Sequence, residues 1–125
     1  MPRSSASVLV IEDDADLREL YLARLRQAGY RVRGAASGSA GIAAAAADPP
    51  ALVILDLLLP DMDGWDVARA LRADPATAQV PVLIASIVDQ QQPVQISGYL
   101  LKPFGAGRLR SAVAEILRGQ AGAPA

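Results

Sequence analysis

Ala51-Leu52-Val53-Ile54-Leu55-Asp56-Leu57-Leu58-Leu59-Pro60-Asp61-Met62-Asp63-Gly64 sets an unbroken apolar run against an acid-rich loop, with Asp56 at the junction. Apolar residues without polar alternation suit a strand covered on both faces, as in a parallel sheet. Such a strand delivers one carboxylate to its carboxyl end. Two further runs behave alike: Val8-Leu9-Val10-Ile11 ends on Glu12 and Asp13, and Tyr99-Leu100-Leu101 ends on Lys102, the single lysine beside eleven arginines.

Between these runs the pattern changes to helical spacing. Asp14 offers an N-cap, Leu17, Leu20, Tyr21, Leu25 and Ala28 recur at three- and four-residue intervals, and Gly29 supplies the stop. A short strand is expected over 30–33. Ser37 can cap a small helix running through Ile42 and the alanines 43–47, which Pro49-Pro50 ends. After the strand over 51–55, Gly64 turns the chain into a helix carrying Trp65, Ala68 and Leu71, ending near Asp74-Pro75. Residues 81–86 read as a fourth strand, 99–101 as a fifth, and Leu109, Val113, Ile116 and Leu117 as the stripe of a last helix before Gly119.

Strand-helix alternation predicts an α/β fold: a doubly wound five-stranded parallel sheet with helices on both faces and ligands outside the carboxyl ends of the strands. One crossover is too short for the pattern. Residues 87–97 hold Gln90-Gln91-Gln92-Pro93, and a crossover with its helix needs at least about 10 to 12 residues free of an internal proline, so the fourth helix is expected to be vestigial or missing. The organisation expected is an N-terminal tail 1–7, one domain 8–118, and a flexible tail 119–125.

Composition removes several functions. A chain of 125 residues with 52% hydrophobic content makes one domain with one core, and a net charge of −1 leaves no electrostatic footprint for nucleic acid or an anionic membrane. Without cysteine there is no disulfide and no thiolate site; without histidine there is no Ser-His-Asp chemistry and no imidazole-bound zinc. The first residues lead into only four strongly apolar ones before Glu12, too few for a signal core or a membrane span, so a cytoplasmic location is expected. Gly38-Ser39-Ala40-Gly41 and Gly105-Ala106-Gly107 lack dinucleotide spacing and read as turns and helix starts; Asp61 and Asp63 read as solvated loop acids.

Glu12, Asp13 and Asp56 at neighbouring strand ends would repel, by roughly 4 kcal/mol for each pair near 4 Å at an effective dielectric of 20. One divalent cation together with the Lys102 ammonium neutralises the three charges. An all-oxygen donor set suits Mg2+, with Mn2+ as the alternative. A carboxylate beside such an ion, with an ammonium opposite, can attack a phosphoryl group, and Ser86 at the end of the fourth strand can donate a hydroxyl hydrogen bond to it.

With those residues in place the chain resembles the receiver domain of two-component response regulators. The resemblance is carried by Val8-Leu9-Val10-Ile11-Glu12-Asp13-Asp14, Asp56 through Gly64, Ser86, and Gly98-Tyr99-Leu100-Leu101-Lys102-Pro103-Phe104. It implies the flavodoxin-like strand order 2-1-3-4-5. It also implies that Asp56 is the phosphoacceptor, that Asp13, Asp56 and the Leu58 backbone carbonyl bind Mg2+ with Glu12 assisting, and that Lys102 binds the phosphoryl group. Ser86 and Tyr99 would be the switch residues.

The implied partners are a sensor histidine kinase or phosphotransfer protein and a downstream protein target, with no nucleic acid or membrane bound by this domain. The implied state is a monomer or weak dimer. The implied role is a phosphoacceptor signalling domain and not a turnover enzyme. Two departures stand out: Ile87, where the family generally has a small residue, and the short crossover 87–97. Leu58 and Val88 flank the pocket with apolar side chains that cannot orient water, which implies slow self-dephosphorylation. The other readings are a pseudo-receiver that docks independently of phosphorylation, and an Asp-nucleophile phosphatase, which wants a second acid where Leu58 stands.

Overall fold

The computed structural model describes residues 6–122, and side chains within 6–119. In chain order the elements are β1 (Ser7–Ile11), α1 (Ala15–Gln27), β2 (Arg31–Ala35), α2 (Gly38–Ala47), β3 (Leu52–Leu55), α3 (Gly64–Ala73), β4 (Val82–Ser86), β5 (Gly98–Leu101) and α4 (Ala106–Gly122). The strands form one parallel sheet in the order β2-β1-β3-β4-β5. The fold is the doubly wound α/β arrangement, in the order that the resemblance implied.

The apolar runs bury both faces because successive side chains alternate. Val8 and Val10 of β1, with Leu52 and Ile54 of β3, join Tyr21, Leu22, Leu25, Leu109 and Val113 under α1 and α4. Leu9, Ile11, Val53 and Leu55 join Ala45, Trp65, Val67, Ala68 and Leu71 under α2 and α3. A Cβ on Gly41 would lie 2.4 Å from Ile11 Cδ1, so the small residues of α2 do let the helix sit close to the sheet.

Several boundaries differ from those read in the sequence. β2 covers Arg31–Ala35 where 30–33 was expected, because the Tyr30 N–H closes α1 on the Leu25 carbonyl at 3.1 Å and central β1 pairs Gly34 and Ala35 despite their weak strand preference. β1 takes in Ser7, which pairs with Arg31, and the Ala6 carbonyl accepts from the Arg31 N–H at 3.0 Å; residues 1–5 of the expected N-terminal tail lie outside the described residues. In α1, Leu20 is 44% exposed and Leu22 is buried instead. The buried stripe runs Tyr21, Leu22, Leu25, and each residue turns a helix by roughly 100°, which carries Leu20 off that face.

α4 continues through Gly119 to Gly122, where the sequence reading put a tail. A glycine costs a helix about 1 kcal/mol, too little to end one anchored by Leu109, Ala112 and Val113. Residues 123–125 of the expected flexible tail lie outside the described residues. β3, β4 and β5 each start one residue away from the expected position.

Residues 87–97 form no helix. The expectation of a missing crossover helix holds, and the fourth helix in chain order is the C-terminal α4. Val88, Val94 and Ile96 pack against the α2–α3 side of the core, and the Ser97 N–H reaches the Val82 carbonyl at 2.8 Å. Among the described residues no helix is long and apolar enough to cross a membrane.

Candidate functional site

Three ladder bonds continue past the strand ends and bring the expected residues together. The Glu12 N–H bonds the Ala35 carbonyl, the Asp56 N–H bonds the Ile11 carbonyl, both at 3.0 Å, and the Lys102 N–H bonds the Ser86 carbonyl at 2.9 Å. Glu12, Asp56, Ser86 and Lys102 thus leave the same edge of the sheet. Carboxylate oxygens of Glu12, Asp13 and Asp56 lie within 4.8 Å of one another.

Lys102 is the hub. Its Nζ stands 2.7 Å from Glu12 Oε1 and 2.9 Å from Asp56 Oδ2, with only 12% of its side chain exposed. The remaining oxygen of each acid also has a donor: the Asp14 N–H reaches Glu12 Oε2 at 3.2 Å, and the Leu58 N–H reaches Asp56 Oδ1 at 3.1 Å. Glu12 is 2% and Asp56 6% exposed, while Asp13 stands at the surface. Burial holds the Glu12 carboxyl above the ordinary glutamate range, with the Lys102 hydrogen bond pulling it back. For Lys102, burial works against the charged form, but the hydrogen bonds it donates to Glu12 and Asp56 overcome it and hold the ammonium above its ordinary value.

Three acids against one ammonium leave two negative charges at the mouth of the pocket. The donors are all hard oxygens, so the residues fit magnesium or manganese, with the Leu58 carbonyl in the adjoining loop as a further oxygen. The loop is folded tightly there. Leu58 bridges to Asp63, the Gly64 N–H bonds the Leu57 carbonyl at 2.9 Å, and a Cβ on Gly64 would lie 2.5 Å from the Asp56 carbonyl oxygen. Only glycine lets α3 start so near the strand end.

Ser86 is fully buried; its Oγ accepts from the Val88 N–H at 3.3 Å, which leaves the hydroxyl proton free to donate. The Tyr99 hydroxyl donates to the Val88 carbonyl and accepts from the Gln90 N–H at 3.2 Å, tying β5 to the crossover. Ile87 is 66% exposed and Leu58 is also open to solvent.

Sequence reasoning missed three residues that hold this edge. Arg18 Nη1 donates to the Glu12 carbonyl at 2.8 Å, bracing the loop that presents Asp13. Asp63, expected to be a solvated loop acid, caps α3 through the Trp65 N–H at 2.8 Å; an aspartate just before Gly64-Trp65 was a readable cap signal. Asp61, expected to be solvated too, is surface-exposed but grips the start of α2 through the Gly38 and Ser39 N–H groups at 2.8 and 2.9 Å. Nothing local in the sequence signals that long-range contact.

Comparison with known proteins adds the following. Residues 8–114 match the family model described as response regulator receiver domain. The chain is 38% identical to the DNA-binding dual master transcriptional regulator RpaA of Synechocystis over 125 residues, covering 94% of this chain and 50% of RpaA. A putative response regulator from Chloroflexus aurantiacus superposes with a TM-score of 0.82 at 31% identity, covering 90% of this chain and 98% of that one. The receiver domain of sensor histidine kinase PA1611 from Pseudomonas aeruginosa, described with a magnesium ion coordinated in its active-site cleft, superposes with a TM-score of 0.84 at 25% identity, covering 90% and 98% of the two chains. The chain spans about half the length of several curated relatives that it matches, and less of others.

Proposed function

We propose that this chain, which belongs to the response regulator receiver domain family, accepts a phosphoryl group on Asp56 from phosphohistidine on a sensor histidine kinase or phosphotransfer protein. The observation that carries the proposal is the Asp56 carboxylate, held between the Lys102 ammonium and the Leu58 N–H beside two further acids. An Asp56 oxygen attacks phosphorus, the phosphorus–nitrogen bond of the donor breaks, and the imidazole leaves with its electron pair. Lys102 already bonds the attacking carboxylate and follows the charge onto the phosphoryl oxygens. Asp13, Asp56 and the Leu58 carbonyl, with Glu12 assisting, would hold a dication, which when bound would add to the stabilisation of those oxygens.

Phosphorylation replaces the single charge of the carboxylate by a phosphoryl group carrying about −1.5 to −2, with three acceptor oxygens. Ser86 gains a partner for its free hydroxyl proton, and movement of Ser86 pulls on Val88, whose N–H it binds and whose carbonyl Tyr99 holds. Tyr99 and the crossover then shift together between two packings, the change that a downstream protein reads. RpaA is a DNA-binding regulator; in this chain the near-neutral charge favours output through protein contacts rather than direct DNA binding.

Incubation with acetyl phosphate and magnesium tests the proposal. The wild type takes up one phosphoryl group and holds it for minutes or longer, because Leu58 and Val88 cannot orient an attacking water, while Asp56→Asn or added chelator gives no label. Label retained by Asp56→Asn would overturn the assignment. A phosphorylation-independent docking module is the second reading, favoured by the missing crossover helix. A folded wild type that takes no label from any acyl phosphate would establish it. Continuous turnover of a phosphate ester would instead favour the Asp-nucleophile phosphatase, against which Leu58 already argues.

A further inference from the structure

We infer that Asp61 is a positioning residue for the loop after β3: clamped on the start of α2, it holds residues 57–63 so that Leu58, whose N–H bonds Asp56, keeps its place at the site. The inference rests on the metal-dependent reading of Asp56 above.

α2 already carries a local cap. The Ser37 hydroxyl takes the Ala40 N–H at 3.2 Å, leaving the Gly38 and Ser39 N–H groups for other acceptors. Asp61 takes both from more than twenty residues away, one carboxylate oxygen to each, at 2.8 and 2.9 Å. Those two N–H groups hold its carboxyl below the ordinary aspartate range, which favours the charged form. The clamp therefore ties a distant loop to the helix, beyond what capping the helix requires.

The loop has need of it. Its entrance is fixed by the Leu58 N–H on Asp56 Oδ1, and its exit by the Leu58–Asp63 bridge and the Asp63 cap. Between these points Leu59, Pro60 and Met62 carry no polar side chain beyond the Met62 thioether, so Asp61 supplies the side-chain hydrogen bonds of the apex. Met62 supplies an apolar one: a Cβ on Gly38 would stand 2.5 Å from its Cγ and 2.7 Å from its sulfur. Glycine at 38 leaves the seat into which Met62 fits. Both anchors rest on the first residue of α2, so both position the same loop.

Partners one step removed from a metal typically contribute 10- to 100-fold in affinity. Magnesium titration of the whole chain, followed by Trp65 fluorescence, reads that contribution directly. In Asp61→Ala the half-saturating magnesium concentration rises about tenfold, while labelling by acetyl phosphate at saturating magnesium reaches the wild-type extent. Asp61→Asn keeps one acceptor oxygen and falls between. Gly38→Ala, which displaces Met62 without touching an acid, moves the midpoint in the same direction and carries the test if Asp61→Ala does not fold.

Asp74→Asn is the control for stability alone. Asp74 caps the Ala76 N–H at 2.9 Å, far along the chain from the loop, and its loss leaves the magnesium midpoint in place. A folded Asp61→Ala with the wild-type midpoint overturns the positioning role while leaving the Asp56 reading intact. A wild type that shows no response to magnesium overturns both.

Discussion

The β1–β3 half of the sheet's carboxyl edge and the β4–β5 half are secured by different means. On the first half each loop passes directly into a helix and is tied at its own backbone: Arg18 on the Glu12 carbonyl, the Asp14 N–H on Glu12, the Leu58 N–H on Asp56, Asp61 on α2. On the second half β4 runs into the helix-free stretch 87–97. That stretch is held from outside by Tyr99 on Val88 and Gln90, Arg69 on Gln92, and Arg72 Nε on the Gln95 carbonyl at 3.0 Å. The chemistry of a metal-assisted transfer needs fixed oxygens, and the first half supplies them. The proposed switch would use a segment whose anchors come from other elements, and the second half has such anchors in Tyr99, Arg69 and Arg72.

Lys102 is where the two halves meet, so its loss has the largest expected effect. It leaves β5 and bonds acids at the ends of β1 and β3, and removing one partner of a largely buried ion pair costs about 3 to 5 kcal/mol. Lys102→Met should lose about that much stability in urea denaturation at neutral pH without metal, and recover part of it when magnesium is added. The folded-state pKa of Lys102 lies above its ordinary 10.5, so its contribution is complete below pH 10.5 and disappears as pH rises through the folded value. The gap between wild type and variant should narrow in that alkaline window. Equal midpoints at neutral pH would show that the ammonium does not couple the halves.

Tyr99→Phe removes a hydroxyl and nothing else, and tests the second half alone. Each of the hydroxyl's two hydrogen bonds is worth about 1 kcal/mol, so amide exchange over 88–92 should speed up roughly thirtyfold while β1 and β3 amides keep their rates. Unchanged exchange in the crossover would mean that apolar contacts of Val88, Val94 and Ile96, and not the tyrosine, hold it down.

How much of this was legible in the sequence divides along the same line. The strands that deliver Glu12, Asp13 and Asp56 could be read because continuous burial writes itself as continuous apolar residues, and the missing helix could be read from Pro93 in a short crossover. The strand order came with the resemblance, since alternation alone permits several. Leu20 and Leu22 both satisfy a helical spacing, and only contact with the sheet decides that Leu22 is the buried one. Arg18, Asp61 and Arg72 carried no readable signal because their partners are backbone groups, which have no residue identity to read.

Asp61 gives the smallest effect on stability and the sharpest contrast between the halves, because it is a surface acid whose partners are amides and not a counter-ion. Its carboxyl is held below the usual 3.8 first by the Ser39 N–H and then by the Gly38 N–H. For a depressed carboxylate the stabilisation is complete above the unfolded value and is lost as pH falls through the folded one, so the window lies below pH 3.8. Carbon-detected NMR titration should find the Asp61 carboxyl titrating below that value, with the Gly38 and Ser39 amide shifts following the same curve. In Asp61→Asn those amide shifts should lose their acid transition, and amides of 88–97 should be indifferent to the change. An Asp61 curve centred at 3.8 would mean that the clamp does not persist in solution, and the first half of the edge would then be no better anchored at its apex than the crossover is.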